Sequence, residues 1–148
     1  MTSEELKTIF NNKKKRVERK ESKRGVVSEK VVEGFEHTTF QMFVRWFNVD
    51  IFNQGCVYCG TTNDQTLQLY TKQRAGLRMD GTRGGKRGKR LEIDRKNPNL
   101  PYDDLDNLVW CCYWCNNAKS NFFSEQEFSP IGRSIGEALR SILQSIKP

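Results

Sequence analysis

The sequence predicts a small, zinc-stabilised α+β domain with flanking helices, and three observations carry that prediction. Two C-x-x-C pairs, Cys56/Cys59 and Cys112/Cys115, stand about fifty residues apart, and two intervening residues let both thiolates of a pair reach one tetrahedral ion. RLEID (Arg90 to Asp94) and Asn107 to Cys111 read as short strands around a turn-rich loop, with a helix pattern following from Trp114 to Phe122. Ile131, Ile135, Ala138, Leu139, Ile142, Leu143 and Ile146 recur at helical spacing, which predicts an amphipathic C-terminal helix packed on the core or on a second subunit.

The remaining elements follow in chain order. A charged helix is expected from about Ser3 to Lys20, then a linker through Gly25 and Gly34. A second helix opens at Thr38 or Thr39 and sets Phe40, Phe43, Val44 and Phe47 on one face. Ser124 and Glu127 can cap a short helix that ends before Pro130. This divides the chain into a basic helical arm over residues 1–36 and a metal-stapled domain over 37–148, which contains a basic loop at 72–90.

At 148 residues with 36% hydrophobic content and a mean hydropathy of -0.74, the chain suits one domain with a thin core. A metal staple therefore matters to folding. No apolar run approaches the ~18 residues that span a bilayer, and MTSEELKTIF lacks a signal pattern, so a soluble, cytoplasmic protein without a membrane partner is expected. In such a reducing compartment the alternative use of the cysteines, disulfides, gives way to zinc. Two pairs close the coordination sphere, which makes that zinc structural. Cys111 reads as a buried thiol, with an exchange of roles with its neighbour Cys112 left open.

The net charge of +7 is unevenly spread. Residues 13–24 carry eight Lys/Arg against two Glu, residues 72–90 carry eight against Asp80, and the rest of the chain carries nine against fifteen acidic residues. Two such basic segments suit a polyanion, because each Lys or Arg that meets a phosphate releases counterions. The expected nucleic-acid contacts are Lys13, Lys14, Lys15 and Arg16 in the first segment and Arg83, Lys86, Arg87, Lys89 and Arg90 in the second. For the first segment a solvated helix face is an equal alternative. The second contains Gly76, Gly81, Gly84, Gly85 and Gly88, which disfavour a helix and suit a flexible hairpin that orders on DNA.

Asp94 on the first strand, Asn107 at the start of the second and C-N-x-x-K (Cys115, Asn116, Lys119) on the helix together resemble the HNH, or ββα-metal, nuclease family. The residue after the strand Asp is usually a water-activating His in that family, and here it is Arg95. A restriction endonuclease within the family shares this Asp-Arg pair, and the resemblance to it runs from about His37 to the C-terminus. It takes in HTTFQMFVRWF, the knuckle Cys56-Val57-Tyr58-Cys59-Gly60, CNNAKSNFFS and the Ile-rich tail.

The resemblance implies that His37, Asp94 and Asn116 bind a catalytic Mg²⁺ or Mn²⁺, that Asn107 braces the loop, and that Arg95 stabilises charge at the phosphate. It makes Tyr58 the nucleophile; Tyr102 or a water remains a rival. It further implies cleavage of double-stranded DNA by a homodimer. A different class, a zinc-stabilised DNA- or RNA-binding protein descended from such a nuclease, stays open because Arg95 replaces the usual base.

Overall fold

The computed structural model describes residues 1–21, 27–77 and 87–145. They form two compact units, one of residues 1–47 with 100–107, the other of residues 48–99 with 108–148. The first unit extends to Phe47 and also takes the loop between the two motif strands.

In the first unit, α1 (Ser3–Asn12) opens with a capping box between Thr2 and Glu5 and buries Leu6, Ile9 and Phe10. Phe10 stacks on Phe35 at 5.6 Å and meets Phe43 at 5.7 Å, which makes an aromatic core. The helix stops at Asn12 rather than Lys20. Beyond it the Lys15 N–H donates to the Phe35 carbonyl and the Phe35 N–H to the Lys13 carbonyl, both at 2.9 Å. That approach needs a glycine, since a Cβ on Gly34 would lie 1.9 Å from the Lys13 oxygen.

The residues expected to continue the helix instead form an antiparallel ribbon of β1 (Arg16–Glu21) and β2 (Val27–Val32), in register from Arg16↔Val32 to Glu21↔Val27. β-Branched pairing such as Val17↔Val31 outweighs the helix propensity of the intervening Lys, Arg and Glu. Helix α2 (Phe40–Trp46) starts where expected, with the Thr39 hydroxyl accepting from the Met42 N–H. Phe43 alone of the expected apolar face is fully buried; Val44 is exposed and Phe47 lies past the helix end.

The second unit holds α3 (Val49–Asn53), α4 (Asn63–Arg74), β3 (Glu92–Arg95), β4 (Leu108–Cys111), α5 (Tyr113–Lys119) and α6 (Glu125–Ser145). Strands β3 and β4 pair antiparallel with Glu92↔Cys111 and Asp94↔Val109. Leu91, Ile93, Leu108 and Trp110 are buried around them, and Phe52 meets Trp110 edge-on at 5.0 Å. Helix α4, which the sequence pattern did not predict, is announced by a Thr62/Gln65 capping box. It carries Lys72 and Arg74, so the basic segment begins on a helix. Arg83, Lys86 and the glycine-rich centre of that segment lie outside the described residues, as do Gly25 and Ile146.

Helix α5 ends at Lys119, short of Phe122, because Ser120 takes φ 51°, a conformation that costs an L-residue about 1–3 kcal/mol and breaks the helical run. Ser124 and Glu127 do cap the last helix, but it does not stop at Pro130; α6 runs through it to Ser145. Pro130 sits in the second turn and removes one backbone bond there. The buried face of α6 is Phe128, Gly132, Gly136 and Leu139, whereas Ile131 and Ala138 are exposed. None of the helices among the described residues is long and apolar enough to cross a membrane.

Candidate functional site

The four cysteines of the two C-x-x-C pairs are brought together. The sulfurs of Cys56, Cys59, Cys112 and Cys115 all lie within 4.8 Å of one another and all four residues are buried. The Cys59 and Cys112 sulfurs are 3.6 Å apart, close to the edge of about 3.8 Å that Zn–S bonds of about 2.3 Å set for a tetrahedron. Hydrogen bonds from Cys112 and Cys115 push the Cys59 thiol far down, while Cys115 is pushed up by its bonds to Cys112, Cys56 and Cys59 and by burial. Four buried cysteine sulfurs this close together are a donor set fit for zinc. Cys111 is fully buried outside the cluster, which answers the question of which neighbour joins it.

Local structure explains the convergence. The first pair forms a knuckle in which the Gly60 N–H donates to the Cys56 carbonyl at 2.8 Å with Gly60 at φ 71°. The Val57 N–H donates to the Trp110 carbonyl at 3.0 Å, so the knuckle is bonded to β4. The Cys112 sulfur caps α5 by accepting from the Cys115 N–H at 3.4 Å. From the other side α6 closes in through its glycines, where an added Cβ would lie 2.7 Å from Tyr58 Cβ at Gly132 and 2.5 Å from the Cys59 carbonyl at Gly136.

Beside this cluster Asp94 forms a second centre. Its Oδ2 accepts from the Tyr58 hydroxyl at 2.8 Å and lies 3.2 Å from the Lys119 ammonium. Asp94 and Tyr58 are buried and Lys119 is completely so, with its Nζ also donating to the Arg95 carbonyl at 2.7 Å. Burial, then the charge and hydrogen bond of Asp94, push the Tyr58 phenol above its ordinary value. Its ring packs edge-on against Phe128 at 5.2 Å. Arg95 is buried on the opposite face of the strand and one of its terminal nitrogens donates to Asn121 Oδ1 at 3.0 Å. Asn116 reaches β3 as well, donating from Nδ2 to Glu92 Oε2 at 2.7 Å.

A solved structure shares this architecture. It is that of the rare-cutting HNH restriction endonuclease PacI; the match has a TM-score of 0.53 and 23% sequence identity, over 73% of this chain and 68% of that one. The chain has an HNH-like fold. Neither a protein-family model nor a curated protein matches the sequence.

Within the HNH-like fold, Asp94, Asn116, Lys119, Tyr58 and Arg95 belong to the second unit and His37 to the first. His37 is exposed, on a turn whose backbone is fixed by Asp103. One Asp103 oxygen accepts from the N–H groups of His37 at 3.0 Å and Thr38 at 2.7 Å and from the Thr38 hydroxyl at 2.6 Å, and the other accepts from the Glu36 N–H at 3.1 Å. Burial works against the charged form of Asp103, but these bonds outweigh it and hold the carboxyl below the usual range. Asn107 is buried in a 3₁₀ turn directly ahead of β4, its N–H donating to the Asp104 carbonyl at 3.1 Å. Tyr102 lies under the Lys13 ammonium, 3.6 Å from its ring centre, and against Phe35.

Of the contacts expected in the first segment, three have intramolecular partners: Lys14 lies over Phe10, Lys15 pairs with Glu36 and Arg16 with Glu18. In the second segment Lys89 is exposed and Arg90 half-buried, while Arg87 pairs with Glu92. Sequence reasoning missed Glu92, Asp103, Asn121 and the Gly132/Gly136 pair. Glu92 had a signal, since it stands two residues before Asp94 and so faces the same side of β3.

Proposed function

We propose that this protein is a divalent-metal-dependent DNA endonuclease that hydrolyses phosphodiester bonds, acting as a homodimer to cut both strands. The observation that carries the reading is the buried Asp94 centre, a carboxylate held by a phenol and an ammonium on a strand–strand–helix unit of HNH-like fold. PacI, which shares the fold, is a restriction endonuclease, and this supports DNA as substrate here.

In this reading Asp94 and Asn116 would hold Mg²⁺ or Mn²⁺, and carboxylate and carboxamide oxygens suit such an ion. When bound, the ion withdraws charge from the phosphate. Tyr58 attacks phosphorus as its proton leaves by way of Asp94 Oδ2, 2.8 Å away, to solvent; the P–O3′ bond breaks, the 3′ oxygen takes a proton from water, and a second water hydrolyses the phosphotyrosyl ester and restores the phenol. Arg95 balances phosphate charge, Lys119 holds Asp94 in place, and Asn107 braces the loop. Double-stranded DNA is gripped by the basic segments, with Lys89 and Arg90 the described residues best disposed for it. A zinc ion in the four-cysteine cluster keeps the unit folded.

A second reading, a zinc-stabilised DNA- or RNA-binding protein, is favoured by one observation, the phenol pushed up by burial and by Asp94. Incubation of supercoiled plasmid with Mg²⁺ or Mn²⁺ separates the two. Nicked and linear products that fall to background in Asp94→Ala support the nuclease. Plasmid left intact by the wild type across varied DNA leaves only binding. Full activity in Tyr58→Phe moves the nucleophile's role from the phenol to water.

A further inference from the structure

We infer that Glu92 is a positioning residue for Asn116, itself locked by Arg87, so that the margin of the basic segment sets the geometry of the candidate catalytic ion's carboxamide ligand. The inference rests on the nuclease reading. Glu92 and Asp94 stand on the same side of β3, and Glu92 is the half-buried one. Asn116 donates from Nδ2 to Glu92 Oε2 at 2.7 Å. A carboxylate can only accept, so this bond dictates which way the carboxamide is turned. Its nitrogen faces Glu92, and its oxygen, the end able to ligate a hard cation, is at the opposite end.

Glu92 would be free to rotate without a partner of its own, and Arg87 supplies one. The guanidinium meets the carboxylate as a fork, Nε to Oε1 at 3.0 Å and a terminal nitrogen to Oε2 at 2.5 Å. It is fixed in turn by stacking over the Tyr113 ring at 5.0 Å and by a 3.5 Å contact to Asn117 Oδ1. Planar bidentate geometry of this kind restricts orientation better than a point charge does. Arg87, Glu92 and Asn116 thus form one chain of fixed groups, anchored at both Tyr113 and Asn117 of α5. Outer partners of metal ligands act this way, and losing one weakens affinity about 10–100-fold.

The test is a Mn²⁺ titration of the full-length, zinc-loaded protein without DNA, read by electron paramagnetic resonance, with zinc content and circular dichroism as controls. Glu92→Ala is expected to weaken Mn²⁺ binding about 10–100-fold, and Glu92→Gln, whose amide oxygen still accepts from Asn116 but which gives up one arm of the Arg87 fork, to weaken it clearly less. Arg87→Met should weaken binding less than Glu92→Ala.

Wild-type affinity in Glu92→Ala overturns the inference and leaves the nuclease reading standing if Asp94→Ala abolishes binding. Equal weakening in Glu92→Gln and Glu92→Ala also overturns it, because Glu92 would then be a ligand itself. Absence of Mn²⁺ binding in the wild type defeats both. Should Glu92→Ala lose its zinc, Arg87→Met decides: weakened binding with zinc retained supports the chain, and unchanged binding breaks it.

Discussion

Two antiparallel strand pairs lie among the described residues, and they differ in what surrounds them. The β1–β2 ribbon has six residues per strand and its described side chains are mostly exposed, including Val17, Val27 and Val31. The β3–β4 pair has only four per strand, yet every position except Glu92 and Val109 is buried and the pair is bonded to the cysteine knuckle at Trp110. An isolated two-stranded ribbon is marginal in water. Strand length therefore matters less here than the four-cysteine cluster and the helices packed around the shorter pair.

Removing that support should have the largest effect. Stripping zinc with a chelator, or Cys112→Ser, is expected to unfold the second unit, since structural zinc sites contribute apparent free energies of about 10–16 kcal/mol; loss of ellipticity in step with zinc release checks this. Next comes Lys119→Met, which leaves Asp94 as an uncompensated buried charge and should cost about 3–5 kcal/mol in thermal or urea unfolding. In the first unit the firm point is Asp103. Asp103→Ala removes the acceptor for three backbone N–H groups and a hydroxyl, with an expected loss of about 1–3 kcal/mol.

The pH dependence follows from the same residue. Its carboxyl is held below the ordinary value in the folded state, so its stabilisation is complete above the unfolded value of about 3.9 and is lost as pH falls through the lower folded value. Protection factors of the Glu36, His37 and Thr38 amides, corrected for intrinsic exchange, should fall as pH drops below about 4 in the wild type and be low throughout in Asp103→Ala. The smallest effect is expected from Val17→Thr on the exposed ribbon, within about 0.5 kcal/mol. A larger loss would mean that the ribbon is as well supported as β3–β4, and the contrast between the pairs would fail.

Legibility in the sequence followed the same division. The second pair and α5 could be read because Asp94, Asn107 and the C-x-x-C-N-x-x-K run are fixed by chemistry at fixed spacing. The ribbon could not be read in the same way. Its Lys, Arg and Glu residues imitate a continuing helix, and what ends α1 is a tertiary contact, the passage of Gly34 against Lys13. Asp103 and Glu92 were missed for a related reason. Their importance lies in which partners a loop or strand face brings to them, and single-residue patterns do not encode that. In α6 the isoleucine spacing pointed to a helix correctly, but the closest contacts are made by glycines, which carry no hydrophobic signal.

Those glycine contacts also bear on kinetics. With α6 laid this near the knuckle that carries Cys56 and Cys59, release of an ion held by the four cysteines is expected to depend on how readily the helix lifts. Bulkier residues at 132 or 136, which cannot fit against Tyr58 and Cys59 without a shift, are then expected to speed that release.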